Sequence, residues 1–397
     1  MDAALAGLVV ADLTQNVAGP YCTQILGDMG AQIVKVERPG RGDDAREWAP
    51  PYWGDESASF MSVNRNKRSL AVDMKSPEGR AIVERLITHA DIFVQSLRAG
   101  VIEELGLGWE RARRLNPRLV YCSITGFGTE GPYRDRPGYD PLMQAYGGIM
   151  ALNGHPGGAP ARVPVSIIDM GTGMWAVTAI LAALRERDRT GRGVHITTAL
   201  FDTALAWTAF QMSNYLASAQ VPGPQGSGTP MIAPYEAFPA RDAWVMIAAA
   251  SDALFVRACQ ALGVGELARD QRFATNPSRV THRIALYEAL AGVTRELDSA
   301  ELLGRLQEVG VPSAPILTLD RVVAEPQTGA SGMLITAKHP RVPEYRALGL
   351  PIRWDGERPG VARVPPLLGE HTAEVLAELG YDETTIKELA SRHVVQL

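Results

Sequence analysis

From Leu8 onward the chain alternates short apolar runs with longer amphipathic stretches. Leu8–Leu13 (LVVADL) and Gln32–Glu37 (QIVKVE) are strand-like. Between them Pro20 suits the first position of a helix that runs to Met29 and is closed by Gly30. This β-α-β unit has the length of about 30 residues expected of a parallel crossover. The alternation repeats: a strand in SLAVD, a helix over Pro77–His89, a strand over Asp91–Gln95, a short helix within Ser96–Gly108 and a strand over Arg118–Thr125. Val163–Ile168 reads as a further buried strand that stops at Asp169; Gly171 and Gly173 follow, then an apolar helix over Met174–Leu184. His195–Thr198 is another strand, and a helix over Leu200–Leu216 leads out of the region. Strands alternating with helices predict an α/β fold built on a parallel, helix-covered sheet.

The pattern then changes. Val221–Pro234 (VPGPQGSGTPMIAP) is rich in glycine and proline and reads as a connector or a flap. Tyr235–Leu319 holds one short strand, several helices and a final extended run, the make-up of a smaller α+β domain. Val364–Leu397 supplies two short helices split by Gly380, expected to pack back on the first domain.

Composition narrows the function classes. The 397 residues include nearly half apolar ones, enough for a large core, and the net charge of −5 gives no general attraction to nucleic acid or anionic membrane. Cys22, Cys122 and Cys259 are scattered and form no CxxC pair, so neither disulfides nor a metal site is expected, and a cytoplasmic location follows. No signal peptide is visible, and the apolar helix at Met174–Leu184 is too short to cross a bilayer.

Several residues carry candidate chemistry. Asp169, between a strand end and a helix start, is read either as an N-cap or as a reactive carboxylate at a carboxyl strand end, where sites of open α/β sheets collect. Its neighbouring glycines would leave room for another molecule. Glu37 stands where a ribose-binding acid would, but TQNVAGP (Thr14–Pro20) lacks the glycines of a dinucleotide loop, which argues against NAD. Arg65, Lys67, Arg68 and Lys75 surround SLAVD, either as charges guarding an edge strand or, with Arg38, as a phosphate-binding rim. The long loop Gly126–Asp140 ends in Tyr139 and Asp140, a phenol and a carboxylate.

Five ordered segments carry a specific resemblance: Ala18–Asp43, Asn64–Gly79, Gly126–Asp140, Ser166–Met174 and Pro366–Gly380. Over nearly its whole length the chain resembles the family III CoA-transferases, the group of formyl-CoA transferase, carnitine CoA-transferase and α-methylacyl-CoA racemase. The resemblance implies a Rossmann-like large domain made from both chain ends (1–200 and 335–397), a small inserted domain (225–325), linkers at 201–224 and 326–334, and an interlocked homodimer. It implies Asp169 as nucleophile, the backbone of Val17 and Ala18 as oxyanion donors, Tyr139 and Asp140 in support, and Gly226 and Gly228 on a mobile loop. For coenzyme A it implies Arg38, Val72, Asp73, Met74, Lys75, Ser96, Leu97, Arg98 and Arg136, the last because Pro137 stands where the formyl enzyme has a lysine.

The expected activity is transfer of CoA from a donor such as succinyl-CoA to an organic, possibly dicarboxylic, acid. The acyl-CoA is a substrate, with no permanently bound cofactor, metal, nucleic acid or membrane partner. Val17 in place of glutamine, and the broken-up glycine run, disfavour formyl-CoA and oxalate. A racemase is the chief alternative, but it needs a base on each face of the substrate, and Tyr139, ordinarily near 10, replaces that branch's histidine. A non-catalytic CoA-binding protein is the other alternative.

Overall fold

The structure is a computed structural model and describes residues 3–397. The chain divides into two compact units. The first comprises the residues up to Gly148, Val163–Met212 and Pro326–Leu397; the second comprises Ile149–Arg162 and Ser213–Glu325. Ile149–Arg162 therefore belongs with the second unit, although it lies within the stretch 1–200 expected in the large domain.

The first unit is built on one sheet of seven strands. Six are parallel: β1 (Val9–Leu13), β2 (Gln32–Glu37), β3 (Lys67–Val72), β4 (Ile92–Gln95), β5 (Val120–Thr125) and β6 (Val194–Ala199). Their spatial order is β3-β2-β1-β4-β5-β6, and Val395–Gln396 adds an antiparallel strand beside β3. This is the doubly wound Rossmann order, which reverses direction between β1 and β4 and opens a crevice beyond their carboxyl ends. The apolar runs in β1 to β5 are buried on both faces, as a helix-covered parallel sheet requires. On one face Leu13, Val36, Val72, Phe93 and Tyr121 pack against Ile82, Val83 and Leu86 of the helix Pro77–His89 and against Val375, Leu376, Ile386 and Leu389 near the C-terminus.

The helices that bear on the site are α1 (Ala18–Asp28), α2 (Asp140–Tyr146), α3 (Ile167–Thr190) and α4 (Leu200–Trp207). Here the structure corrects three expectations. No strand forms at Val163–Ile168; α3 already begins at Ile167 and runs 24 residues to Thr190. It is therefore long and apolar enough to span a membrane by length and composition, although half of that stretch is buried inside the protein. The expected helix Leu200–Leu216 is interrupted at Thr208, where α4 ends and a second helix, Ala209–Ser218, begins.

Three of the four cations around SLAVD are bound to carboxylates rather than free for a phosphate. Arg65 is paired with Asp28 at 2.5 Å, Lys67 with Asp12 at 3.0 Å, and Arg68 with Glu374 and Glu378. Nor do they guard an open edge, since Arg363, His371 and Thr372 bond to Asn66, Ser69 and Ala71, and Val395–Gln396 pairs with Ala71 and Val72 at the end of β3. Only Lys75 lies exposed. Glu37, likewise, is committed to Arg46 rather than free for a ribose.

Lys67 has no exposed surface, and burial pulls it down to about 8, so it is still a cation at neutral pH. Burial works to raise Asp12, but the Lys67 and Lys35 ammoniums overcome it and hold that carboxyl below its ordinary value. Replacing Lys67 by Met would take from buried Asp12 its directly bonded cation and leave only Lys35 and the Thr14 and Thr23 hydroxyls to offset its charge. The expected loss of unfolding free energy is about 3–5 kcal/mol, readable by urea denaturation, and a loss below about 1 kcal/mol would show that the pair is not needed.

The second unit has its own core. An antiparallel sheet of Tyr235–Pro239, Trp244–Ala248 and Ser313–Pro315 packs Phe238, Val245 and Ile247 against Phe255, Leu290 and Leu302 of surrounding helices.

Candidate active site

Within the first unit a cavity of about 360 Å³ opens at the carboxyl ends of β1, β4 and β5. Its walls come from Gln15–Gly19, Ser96–Ala99, Ile124–Gly126, Arg134–Tyr139 and Asp169, among others. It lies at the topological switch point, where Rossmann-type sheets place ligands.

Asp169 stands in the first turn of α3, at its third residue. It is not the N-cap; Ser166 occupies that position and makes no side-chain cap. The cap comes from Asp140, 28 residues earlier, whose Oδ2 accepts the N–H groups of Ile168 at 2.8 Å and Asp169 at 3.3 Å. Gln144 Nε2 donates to the other Asp140 oxygen at 2.6 Å. The helix end is thereby satisfied by a buried carboxylate on α2, which leaves Asp169 free to point elsewhere. Burial, and secondarily the Asp140 carboxylate, push Asp169 up to about 7.

The two glycines after Asp169 make room for protein rather than ligand, which corrects the sequence expectation. A Cβ on Gly171 would meet the Trp207 ring at 2.7 Å, and one on Gly173 would meet the Ala18 carbonyl oxygen at 2.7 Å. Gly173 thus lets α3 close against the start of α1, one turn from Asp169. Gly173→Ala is expected to push the two helices apart and lower kcat on the order of 10- to 100-fold, since a shift near 1 Å already misaligns reacting groups. Steady-state kinetics on the folded variant checks this, and an unchanged kcat would refute it.

Across the cavity, α1 starts at Ala18 after Val17, which offers no side-chain cap. The N–H groups of Ala18 and Gly19 are left without a side-chain cap, Pro20 has none to offer, and the helix dipole favours negative charge at this end of the cavity wall. Val17, Ala18 and Asp169 share this one lining.

Of the residues expected to hold coenzyme A, Ser96, Leu97, Arg98 and Arg136 line the cavity with Tyr139, whereas Arg38, Val72, Asp73, Met74 and Lys75 lie outside the lining. Arg136 stacks over the Tyr133 ring at 4.0 Å and donates to the Tyr146 hydroxyl at 2.9 Å. Arg38 bonds to the Gly42 carbonyl and to Asp44, a lining residue. Val72 is wholly buried in β3, and Met74 packs against the core beside it. Gly226 and Gly228 belong to the second unit, where Gly226 takes a positive φ of 62° and donates to the Gly154 carbonyl.

Trp48, Arg134, Thr125 and Leu200 also line the cavity and were not foreseen. Arg134 sits between expected residues in the loop Gly126–Asp140 and could have been included on its charge. Trp48, in a loop after β2, carries no local signal.

The comparisons with known proteins point to one family. The model of CoA-transferase family III matches residues 5–372. Succinyl-CoA:glutarate CoA-transferase of Homo sapiens is 38% identical over 392 residues, covering 98% of this chain and 90% of that protein. Succinate–glutarate CoA-transferase of Agrobacterium fabrum is 39% identical over 387 residues, covering 96% and 97%. A crystal structure of a CAIB/BAIF family protein from Brucella suis superposes with a TM-score of 0.87 at 42% identity, covering 96% of this chain and all of that one. With a family match over most of its length and relatives of this identity, the chain belongs to CoA-transferase family III.

Proposed function

We propose that this enzyme transfers CoA from succinyl-CoA to a dicarboxylic acid of glutarate's class, with Asp169 as the covalent carrier. The observation that carries the reading is Asp169 itself, raised to about 7 and sharing a cavity with the uncapped start of α1. The names of the human and Agrobacterium relatives favour succinyl-CoA and glutarate as the pair.

The chemistry suits a carboxylate. An Asp169 oxygen attacks the thioester carbonyl carbon, and the C–S bond breaks to give a mixed anhydride and CoA thiolate. The thiolate attacks the Asp169 carbonyl carbon, releasing succinate and leaving an aspartyl-CoA thioester. The acceptor carboxylate attacks that thioester, and thiolate then attacks the acceptor's carbonyl carbon, regenerating Asp169 with the new acyl-CoA. No net proton is consumed. Each tetrahedral oxyanion is met by N–H donors at Val17 and Ala18. Arg98, Arg134 and Arg136 bring cations to the same cavity, suited to phosphate or to an acceptor's second carboxylate.

The homodimer belongs to the same proposal. Val165, Met174, Trp175, Trp207 and Phe210 of the first unit are exposed, and such apolar side chains are the kind that a second copy of the chain would cover. Cytoplasmic residence is likewise proposed; all three cysteines are buried and unpaired, as a reducing compartment allows.

The test incubates the purified protein with succinyl-CoA and a panel of mono- and dicarboxylic acids and reads the acyl-CoA products by mass spectrometry. Glutaryl-CoA and free succinate in equal amounts are expected. Absence of exchange with every acid would overturn the transferase reading, and exchange with monocarboxylates alone would overturn the acceptor class.

A further inference from the structure

Residues 14–17 join β1 to α1 outside both elements, with Asn16 at φ 69°, and Val17 and the first residue of α1, Ala18, line the cavity. Such backbone keeps one conformation only where its surroundings over-determine it. Here the surroundings are charged and buried. Asp12 Oδ1 accepts both the Thr14 N–H at 3.1 Å and the Thr14 hydroxyl at 2.5 Å. Lys35 Nζ donates to the Thr14 carbonyl at 3.0 Å and to Asp43 Oδ2 at 2.8 Å. Asp43 Oδ1 in turn accepts the Asn16 N–H at 3.0 Å. On the far side of Val17, Lys67 Nζ donates to the Pro20 carbonyl at 2.9 Å while bonded to Asp12 Oδ2 and Asn64 Oδ1. Between them, the Gln15 N–H donates to Ser96 Oγ at 3.0 Å.

Asp12, Lys35, Asp43 and Lys67 are each at most 1% exposed. Burying four charges is an expensive way to stabilise a sheet that apolar residues would hold as well. What they add is direction: all four touch backbone between Thr14 and Pro20 with a charged atom, and Asp12 also bonds to Lys67. All of these contacts converge on the backbone either side of Val17.

We infer that Lys35, Asp43, Asp12 and Lys67 are positioning residues for the thioester chemistry, clamping the 14–20 backbone so that the Val17 and Ala18 N–H groups are pre-aimed at the developing oxyanion. The inference rests on the transferase reading above. It gives these side chains no contact with substrate, and they act wholly through the loop. A preorganised donor contributes in the transition state rather than in ground-state binding, so its loss falls on kcat.

The experiment uses the full-length enzyme and the transfer assay, with melting followed in parallel. Lys35→Met and Asp43→Asn are expected to lower kcat by about 10- to 1,000-fold, the range for a lost or misplaced oxyanion donor, with KM for succinyl-CoA within about threefold of the parent. Both leave an unpaired buried group and should melt earlier. The double variant Lys35→Met/Asp43→Leu removes the charge pair together and should recover melting without recovering kcat. Asp28→Asn breaks the buried Arg65 pair at the other end of α1, away from the loop, and should lose stability while keeping kcat. Ser96→Ala removes one loop acceptor without stranding a charge, so it serves if the charged variants fail to fold; a smaller fall in kcat is expected.

Recovery of kcat together with melting in the double variant, a KM rise that accounts for the whole loss, or an unchanged kcat in Ser96→Ala would each overturn the inference. Failure of the parent enzyme to transfer CoA would instead overturn the function proposed for the site, so the two failures are distinguishable.

Discussion

Asp169→Asn is expected to abolish CoA transfer, lowering kcat by at least roughly 10⁴-fold, the scale seen when a covalent nucleophile is removed. The substitution keeps the size of the side chain and leaves the Asp140 bonds to the Ile168 and Asp169 N–H groups intact, because those bonds use backbone. The fold and the cavity should therefore survive. Intact-mass spectrometry of the parent enzyme mixed with succinyl-CoA should show an adduct on the Asp169 peptide, and the variant should show none. CoA binding measured by calorimetry should remain in both. Retention of turnover above about one-hundredth of the parent would remove Asp169 from the covalent role, since no loss that small fits deletion of a nucleophile.

The second large effect is on pH dependence. The reactive form of Asp169 is the carboxylate, and its pKa is raised to about 7, chiefly by burial and then by Asp140. The kcat/KM for succinyl-CoA should accordingly rise with pH and level off above about 7. Asp140→Asn removes the second of these causes while keeping an oxygen to cap α3, so the rise should move to lower pH without reaching an ordinary aspartate's value. The same shift acts on stability. The folded protein holds the Asp169 proton more tightly than the unfolded chain, so stability falls as pH climbs from near 4, where the unfolded group ionises, to about 7. Asp169→Asn should thus be more stable than the parent at pH 8, by a few kcal/mol, and should converge with it below pH 4. A pH-independent difference between the two proteins, or a parent profile flat between pH 5 and 8, would contradict the assignment.

The two predictions draw on different depths of information. Asp169 is legible as a candidate in the chain itself, since an acid followed by Gly171 and Gly173 and a long apolar helix marks a helix start. Its environment is not. The apolar run Val163–Ile168 resembles a buried strand, yet α3 begins at Ile167 because Asp140 satisfies its first N–H groups from another helix. A cap supplied from 28 residues away leaves no mark in the adjacent residues. The glycines show the same limit: their small size was evident, but only the packing of α1 and Trp207 reveals what they admit.

The cations near β3 show it again from the opposite side. Four basic residues within eleven positions look like an anion site, whereas Asp12, Asp28, Glu374 and Glu378 neutralise three of them. Those partners come from β1, α1 and the C-terminal segment, so no window of sequence contains both members of a pair.

By itself the sequence determined the alternation of strands and helices and the parallel α/β class, and it offered Asp169 as a candidate. These depend on periodicity, turn chemistry and residue type, all of which act over a few neighbouring positions. The tertiary structure alone decided which charges are free and which are paired, what caps the helix of Asp169, and how far that acid is pushed from its ordinary pKa. Each of those is set by burial and by contacts between residues far apart in the chain, and the energy of a charge depends on what surrounds it in space.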